Sequence, residues 1–113
     1  MNIAVLDDDK FSVFYFSKMM SQVGVKVQEL KPSEGLSQLD ANCDVLLLDY
    51  FIPESWVEFR TEMIQKCKEL GIKILYWTVS KPLVEKHSGE FLIVEKGMSI
   101  PKELQELIAL EHA

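Results

Sequence analysis

The chain has 113 residues, 48% hydrophobic and 27% charged, with a formal net charge of −6. That length allows one compact domain over 1–113 with a single core, and the acidic balance argues against non-specific binding to nucleic acid or anionic lipid. No apolar run approaches a membrane span and the amino terminus lacks a signal-peptide pattern, so the expected location is the cytoplasm and no membrane partner is expected.

In chain order, strand signals alternate with helical ones. Ile3-Ala4-Val5-Leu6 is a continuous apolar run that ends in Asp7-Asp8-Asp9. A helix is predicted over about Lys10 to Val23, with Val13, Phe16 and Met20 at three-to-four spacing on its sheet-facing side and Gly24 at its end. Val25 to Leu30 alternates apolar and polar residues, as an edge strand does. Pro32-Ser33 opens a short predicted helix to about Leu39, with Ser33 as its cap and Leu36 and Leu39 turned inward.

Val45-Leu46-Leu47-Leu48 runs into Asp49, and the apolar loop Tyr50-Phe51-Ile52-Pro53 follows. Ser55-Trp56-Val57-Glu58 has the form of a capping box before a helix that buries Phe59, Met63 and Cys67 and stops at Gly71. Ile74-Leu75-Tyr76-Trp77 ends in Thr78. From Lys81 to Glu90 the pattern is weak, enough for about one helical turn from Pro82 to Lys86. Phe91-Leu92-Ile93-Val94 then leads through Glu95 to Lys96, and Ser99 with Pro101 starts a last helix carrying Leu104, Leu107 and Ile108. Cys43 and Cys67 lack metal-ligand spacing and read as free buried thiols. His87 and His112 have no partners in any motif.

Alternation of this kind predicts an α/β, flavodoxin-like three-layer domain. Its five-stranded parallel sheet has the order 2-1-3-4-5, and its fourth helix is shortened. Such sheets gather their chemistry at the carboxyl ends of the strands. There Asp7, Asp8 and Asp49 would meet a hydroxyl, Thr78, and an ammonium, Lys96. Magnesium takes oxygen ligands in an octahedron and keeps several waters, which suits such a cluster; manganese is the substitute. An ionised Asp49 is a nucleophile toward phosphorus, with Thr78 and Lys96 placed to meet charge on the phosphoryl oxygens. Asp9 is left to helix capping.

In the order and spacing of these residues the chain resembles the receiver domain of two-component response regulators over its full length. The resemblance rests on Asp7-Asp8 after the first strand, Asp49 followed by Ile52-Pro53, then Thr78 and Lys96. It implies that Asp49 takes a phosphoryl group from phosphohistidine on a histidine kinase or a histidine phosphotransfer protein. It also implies that Asp8 ligates the metal directly, Asp7 acts through water, and the Phe51 backbone carbonyl completes the protein's share. Signalling would proceed by contact with a downstream protein, and no catalysis beyond the domain's own phosphorylation and dephosphorylation is expected. The pattern departs from the family at three points. The stretch between Thr78 and Lys96 is short, Ile93 stands where the family has its aromatic switch residue, and Gly97 replaces the proline that commonly follows the lysine.

The family reading covers a stand-alone regulator, a phosphorelay intermediate and a piece of a hybrid kinase alike. Two other classes compete with it. One is an interaction module in which phosphorylation no longer matters, motivated by the short segment and by Ile93. The other is a haloacid-dehalogenase-like phosphatase built on Asp7-Asp8-Asp9, which lacks a later acidic pair and a cap domain.

Overall fold

In the computed structural model the described residues are 1–79, 82 and 91–111. Five strands form one sheet: β1 (Asn2–Leu6), β2 (Lys26–Glu29), β3 (Val45–Asp49), β4 (Lys73–Thr78) and β5 (Leu92–Glu95). Among the described residues three α-helices accompany them: α1 (Lys10–Ser21), α2 (Val57–Leu70) and α3 (Lys102–Glu111). The sheet order is β2-β1-β3-β4-β5, and every pairing is parallel. This is the flavodoxin-like topology.

The apolar runs are continuous because both sheet faces are covered. Alternate residues of each strand serve opposite layers. Ile3, Val5, Leu47, Leu75, Trp77 and Val94 pack with Val13, Phe16 and Met20 of α1 and Leu104 of α3. Ala4, Leu6, Leu46, Leu48, Ile74, Tyr76 and Ile93 pack with Met63 and Cys67 of α2 and with Leu30 and Leu39. A fully buried side chain of the Val, Leu, Ile or Met type contributes about 1.5–3 kcal/mol, so these two rows dominate the stability of the fold.

The helix ends follow from local chemistry. Asp9 caps α1: its Oδ1 accepts the N–H groups of Phe11 (3.1 Å) and Ser12 (3.3 Å), and its Oδ2 accepts the Ser12 hydroxyl (2.8 Å). These hydrogen bonds, the Ser12 hydroxyl first, hold the Asp9 carboxyl below its ordinary pKa. Asp9→Ala is expected to cost about 1 kcal/mol, read as a lower urea midpoint with an unchanged denaturant slope. α2 ends where Gly71 takes a left-handed conformation with φ 72°. The free amino group of Met1 pairs with Glu111 at the end of α3 (2.9 Å), closing that layer.

Two local expectations are corrected. The helix predicted from Pro32 to Leu39 is a pair of 3-10 turns, Pro32–Glu34 and Leu36–Gln38. Gly35 between them sits at φ 76°, ψ −176°, which no helix accommodates, and Ser33 caps nothing. The Gln38 side chain takes over: its amide donates to the carbonyls of Lys31 (2.7 Å) and Gly35 (2.6 Å) and accepts the Lys31 N–H (2.8 Å). Leu39 is buried as expected. The capping box predicted at Ser55 does not form either. Glu54–Trp56 is a 3-10 turn, and α2 follows Trp56 without a side-chain cap.

The short turn predicted for 82–86, and with it the shortened fourth helix, lies outside the described residues apart from Pro82. His87 and His112 lie outside them as well. Among the described residues no helix is long and apolar enough to cross a membrane.

Because all strands run one way, their carboxyl ends line one edge of the sheet. β1 leads to β2 on one side of it, while β3 pairs on its other side. The ends of β1 and β3 therefore border the crevice where open sheets of this kind bind ligands.

Candidate functional site

Asp7 follows β1 and is 1% exposed; Asp49 closes β3 and is 7% exposed. Carboxylates this buried need partners, and both find the same kind. Asp7 Oδ1 accepts the N–H of Asp9 (2.9 Å), and Asp49 Oδ1 accepts the N–H of Phe51 (3.1 Å). Each is bonded to the backbone two residues on, as turn-forming aspartates are. The second oxygen of each meets Lys96, whose Nζ lies 2.6 Å from Asp7 Oδ2 and 3.3 Å from Asp49 Oδ2. One ammonium thus braces two buried acids from different strands.

Lys96 is held in turn. Its backbone N–H donates to the Thr78 carbonyl (2.7 Å), tying the end of β5 to β4. Its ammonium also lies 4.7 Å from the centre of the Trp77 ring. A partly desolvated cation in that position gains from the ring's negative face. Thr78 is fully buried as the last residue of β4, in register with Glu95. Asp8, by contrast, is exposed beside the pair.

Asp7, Asp8 and Asp49 offer carboxylate oxygens that all lie within 4.8 Å of one another. Three acids against one ammonium leave a local deficit of positive charge. Burial, then the hydrogen bond and charge of Asp7, push the Asp49 carboxyl up to about 7. Lys96 and the Phe51 N–H oppose that rise without cancelling it. The cluster is an acidic triad, two of its three members buried, that can hold a metal ion. Its all-oxygen donors and surplus negative charge suit a hard divalent cation, and the exposed Asp8 leaves a side open to water ligands.

The structure therefore brings together Asp7, Asp8, Asp49 and Lys96, with Thr78 one residue pair away along β4. Phe51 belongs to the same loop, but the contact that joins it to the cluster is its N–H. The residue is 48% exposed, and its ring stands edge-on to Tyr50, 5.1 Å between centres.

Arg60 was missed from the sequence. Its guanidinium donates to the carbonyls of Tyr50 (2.9 Å) and Asp49 (3.4 Å), so α2 holds the loop that carries the buried acid. One signal was available: Arg60 is the only arginine in the chain. A row of rings was missed too. Tyr50 stacks edge-on to Tyr76 and Tyr76 to Phe91, each at 5.3 Å, which joins that loop to the residue before β5.

Neither cysteine belongs to the cluster. Burial raises the Cys43 thiol and pushes Cys67 up to about 12, so both remain protonated and unreactive.

No protein-family model and no curated protein matches the chain. Among solved structures it is similar to a yeast Spc42 trimeric coiled coil fused to another solved structure. The identity is 16%, the TM-score is 0.60, and the match covers 98% of this chain and 77% of that one. At that identity the likeness shows the fold alone.

Proposed function

We propose that this chain is a receiver-type phosphoacceptor domain, in which Asp49 takes a phosphoryl group from a phosphohistidine on a kinase or phosphotransfer protein. The observation that supports this best is the pair of buried aspartates from β1 and β3 braced by one lysine from β5, with an exposed third acid beside them.

In this reading an Asp49 oxygen forms a bond to phosphorus as the N–P bond of the donor breaks. The electron pair stays on the donor imidazole, which takes up a proton. Asp8 and Asp49, with Asp7 beside them, would hold magnesium, which would supply positive charge toward the phosphoryl oxygens. Lys96 already lies 3.3 Å from Asp49 Oδ2 and needs only to follow the new charge. The Phe51 N–H on Asp49 Oδ1 fixes the carboxylate, so one oxygen is presented rather than either. The Thr78 hydroxyl, carried at the end of β4, would meet a phosphoryl oxygen in this reading. Output passes by contact to a downstream protein, and the domain works in the cytoplasm without touching nucleic acid itself.

Magnesium is expected to bind weakly, and Asp8→Ala is expected to remove most of that binding, by about tenfold or more. A titration followed by amide NMR that is the same in both proteins would defeat this assignment. For the transfer itself, the protein with magnesium and acetyl phosphate is expected to gain one phosphoryl group by intact mass. A phosphohistidine protein is the physiological form of the same test. No gain from either donor would overturn the proposal.

A second reading, an interaction module indifferent to phosphate, is favoured by one observation. Ile93, at the family's switch position, is buried in the α2-side layer. Its branched side chain has few rotamers to exchange. In that case Asp49→Ala would leave partner binding and output unchanged.

A further inference from the structure

A cavity of about 330 Å³ opens beside the acidic cluster, between the first turns of α1 and the segment that joins β5 to α3. Phe11, Tyr15, Phe16, Met19, Trp77 and Met98 supply its walls. Phe16 and Trp77 are core residues set 5.0 Å apart at an interplanar angle of 52°, so the inner wall is rigid. Phe11 and Met98 stand at the mouth, 77% and 88% exposed. Such a size is at the lower end of small-molecule sites, which run from roughly 300 to 1,000 Å³ and combine apolar walls with a few polar groups.

Two of the hydroxyls that line the cavity, those of Ser12 and Tyr15, are already committed as donors, while Ser99 stands at the exposed rim, and the committed pair favours a ligand that can donate to them. The Ser12 hydroxyl donates to Asp9 (2.8 Å) and the Tyr15 hydroxyl donates to the Met98 carbonyl (3.4 Å). Both hydroxyl oxygens keep lone pairs, so they are acceptors toward anything in the cavity. Lys96 also lines it, but its ammonium is spent on Asp7 and Asp49. Among the described residues that line the cavity an anion would find no free cation, with two carboxylates close behind. Aromatic rings and thioethers, the softest walls available, favour a planar π-system.

We propose that this cavity is a binding site for a small, neutral, planar aromatic molecule that carries an N–H or O–H donor. The bound ring lies against Trp77, whose indole is in contact with the Lys96 ammonium, and so reports directly on the acidic site. The inference stands apart from phosphoryl transfer, since its test uses neither metal nor phosphodonor.

The test is an amide NMR titration of the full chain with indole. N-methylindole, which lacks the donor, and indole-3-acetate, which is an anion, serve as matched probes. Indole is expected to give saturable shifts at Phe11, Tyr15, Gly97, Met98 and the Trp77 indole N–H. The other two probes are expected to bind more weakly. Phe11→Ala with Met98→Ala removes only exposed walls, so the fold is retained, and indole affinity is expected to fall about fivefold or more. Absence of saturable shifts at these residues, an unchanged affinity in the double variant, or equal binding of all three probes would overturn the proposal. So would concentration-dependent shifts of the same amides without any probe, which would show a second copy of the chain filling the cavity.

Discussion

Asp49→Asn is expected to abolish phosphoryl acceptance from acetyl phosphate while leaving the domain folded. The amide keeps the shape of the carboxylate and its bond from the Phe51 N–H, but it has no anionic oxygen to attack phosphorus. The same substitution is expected to change how stability depends on pH without magnesium. In the folded chain the Asp49 carboxyl is pushed from its ordinary 3.8 up to about 7, first by burial and then by Asp7. The folded state therefore holds a proton that the unfolded chain releases. The stability this group contributes is full below pH 3.8 and is lost as pH rises through about 7. Allowing for water near the crevice and for the partial pairing with Lys96, the loss is about 2 kcal/mol. Urea unfolding across that range should show the decline in wild type and a flatter profile in Asp49→Asn, which should be the more stable protein above pH 7. A phosphoryl group that still appears on Asp49→Asn would remove Asp49 from the acceptor role. Parallel pH profiles would show that the folded chain does not hold the Asp49 carboxyl protonated up to about pH 7.

The second large effect is expected at Lys96. Its side chain is 10% exposed, and the ammonium faces two buried carboxylates at 2.6 and 3.3 Å. Lys96→Ala leaves those acids with only their backbone N–H donors, and removing one partner of a buried ionic group costs about 3–5 kcal/mol. The crevice admits some water and Asp49 can take up a proton, so a loss of about 2–4 kcal/mol near neutral pH is expected. Two treatments should restore much of it. Acidification below about pH 7 protonates Asp49, and millimolar magnesium replaces the missing positive charge. Stability that is unchanged near neutral pH, or a loss that neither treatment relieves, would show that the lysine does not brace this pair. Fluorescence of Trp77 should also respond, because the cation leaves the face of its ring.

Both effects come from one arrangement, and its parts were not equally legible beforehand. The strands were plain because parallel strands covered on both faces must be apolar throughout, and Ile3–Leu6 and Val45–Leu48 are. α1 was plain for a related reason. Val13, Phe16 and Met20 repeat at helical spacing, Asp9 caps the start, and Gly24 marks the turn at φ 76°. The segment from Pro32 to Gln38 misled, since its inward leucines fit a helix as well as two 3-10 turns. The conformation of Gly35 chose between them, and glycine adopts either hand at little cost. The missing cap at Ser55 has a similar origin. The bond from the Trp56 N–H to the Pro53 carbonyl (2.9 Å) starts a tighter turn before a capping box can form.

The sequence by itself determined the sheet order, the two buried layers, and the set of acids, hydroxyl and amine carried by the strand ends. Those follow from periodicity and from the handedness of parallel crossovers, which are local or nearly universal. Only the tertiary structure decided how the groups are shared. Lys96 is 89 residues from Asp7 and 47 from Asp49, and no local pattern says that one ammonium lies nearer the first. Nor does any pattern place Arg60 on the carbonyls of Asp49 and Tyr50, or leave a cavity between Phe11 and Met98. Distances, burial and the competition of charges for one proton depend on how the layers close. They exist only once the chain has folded.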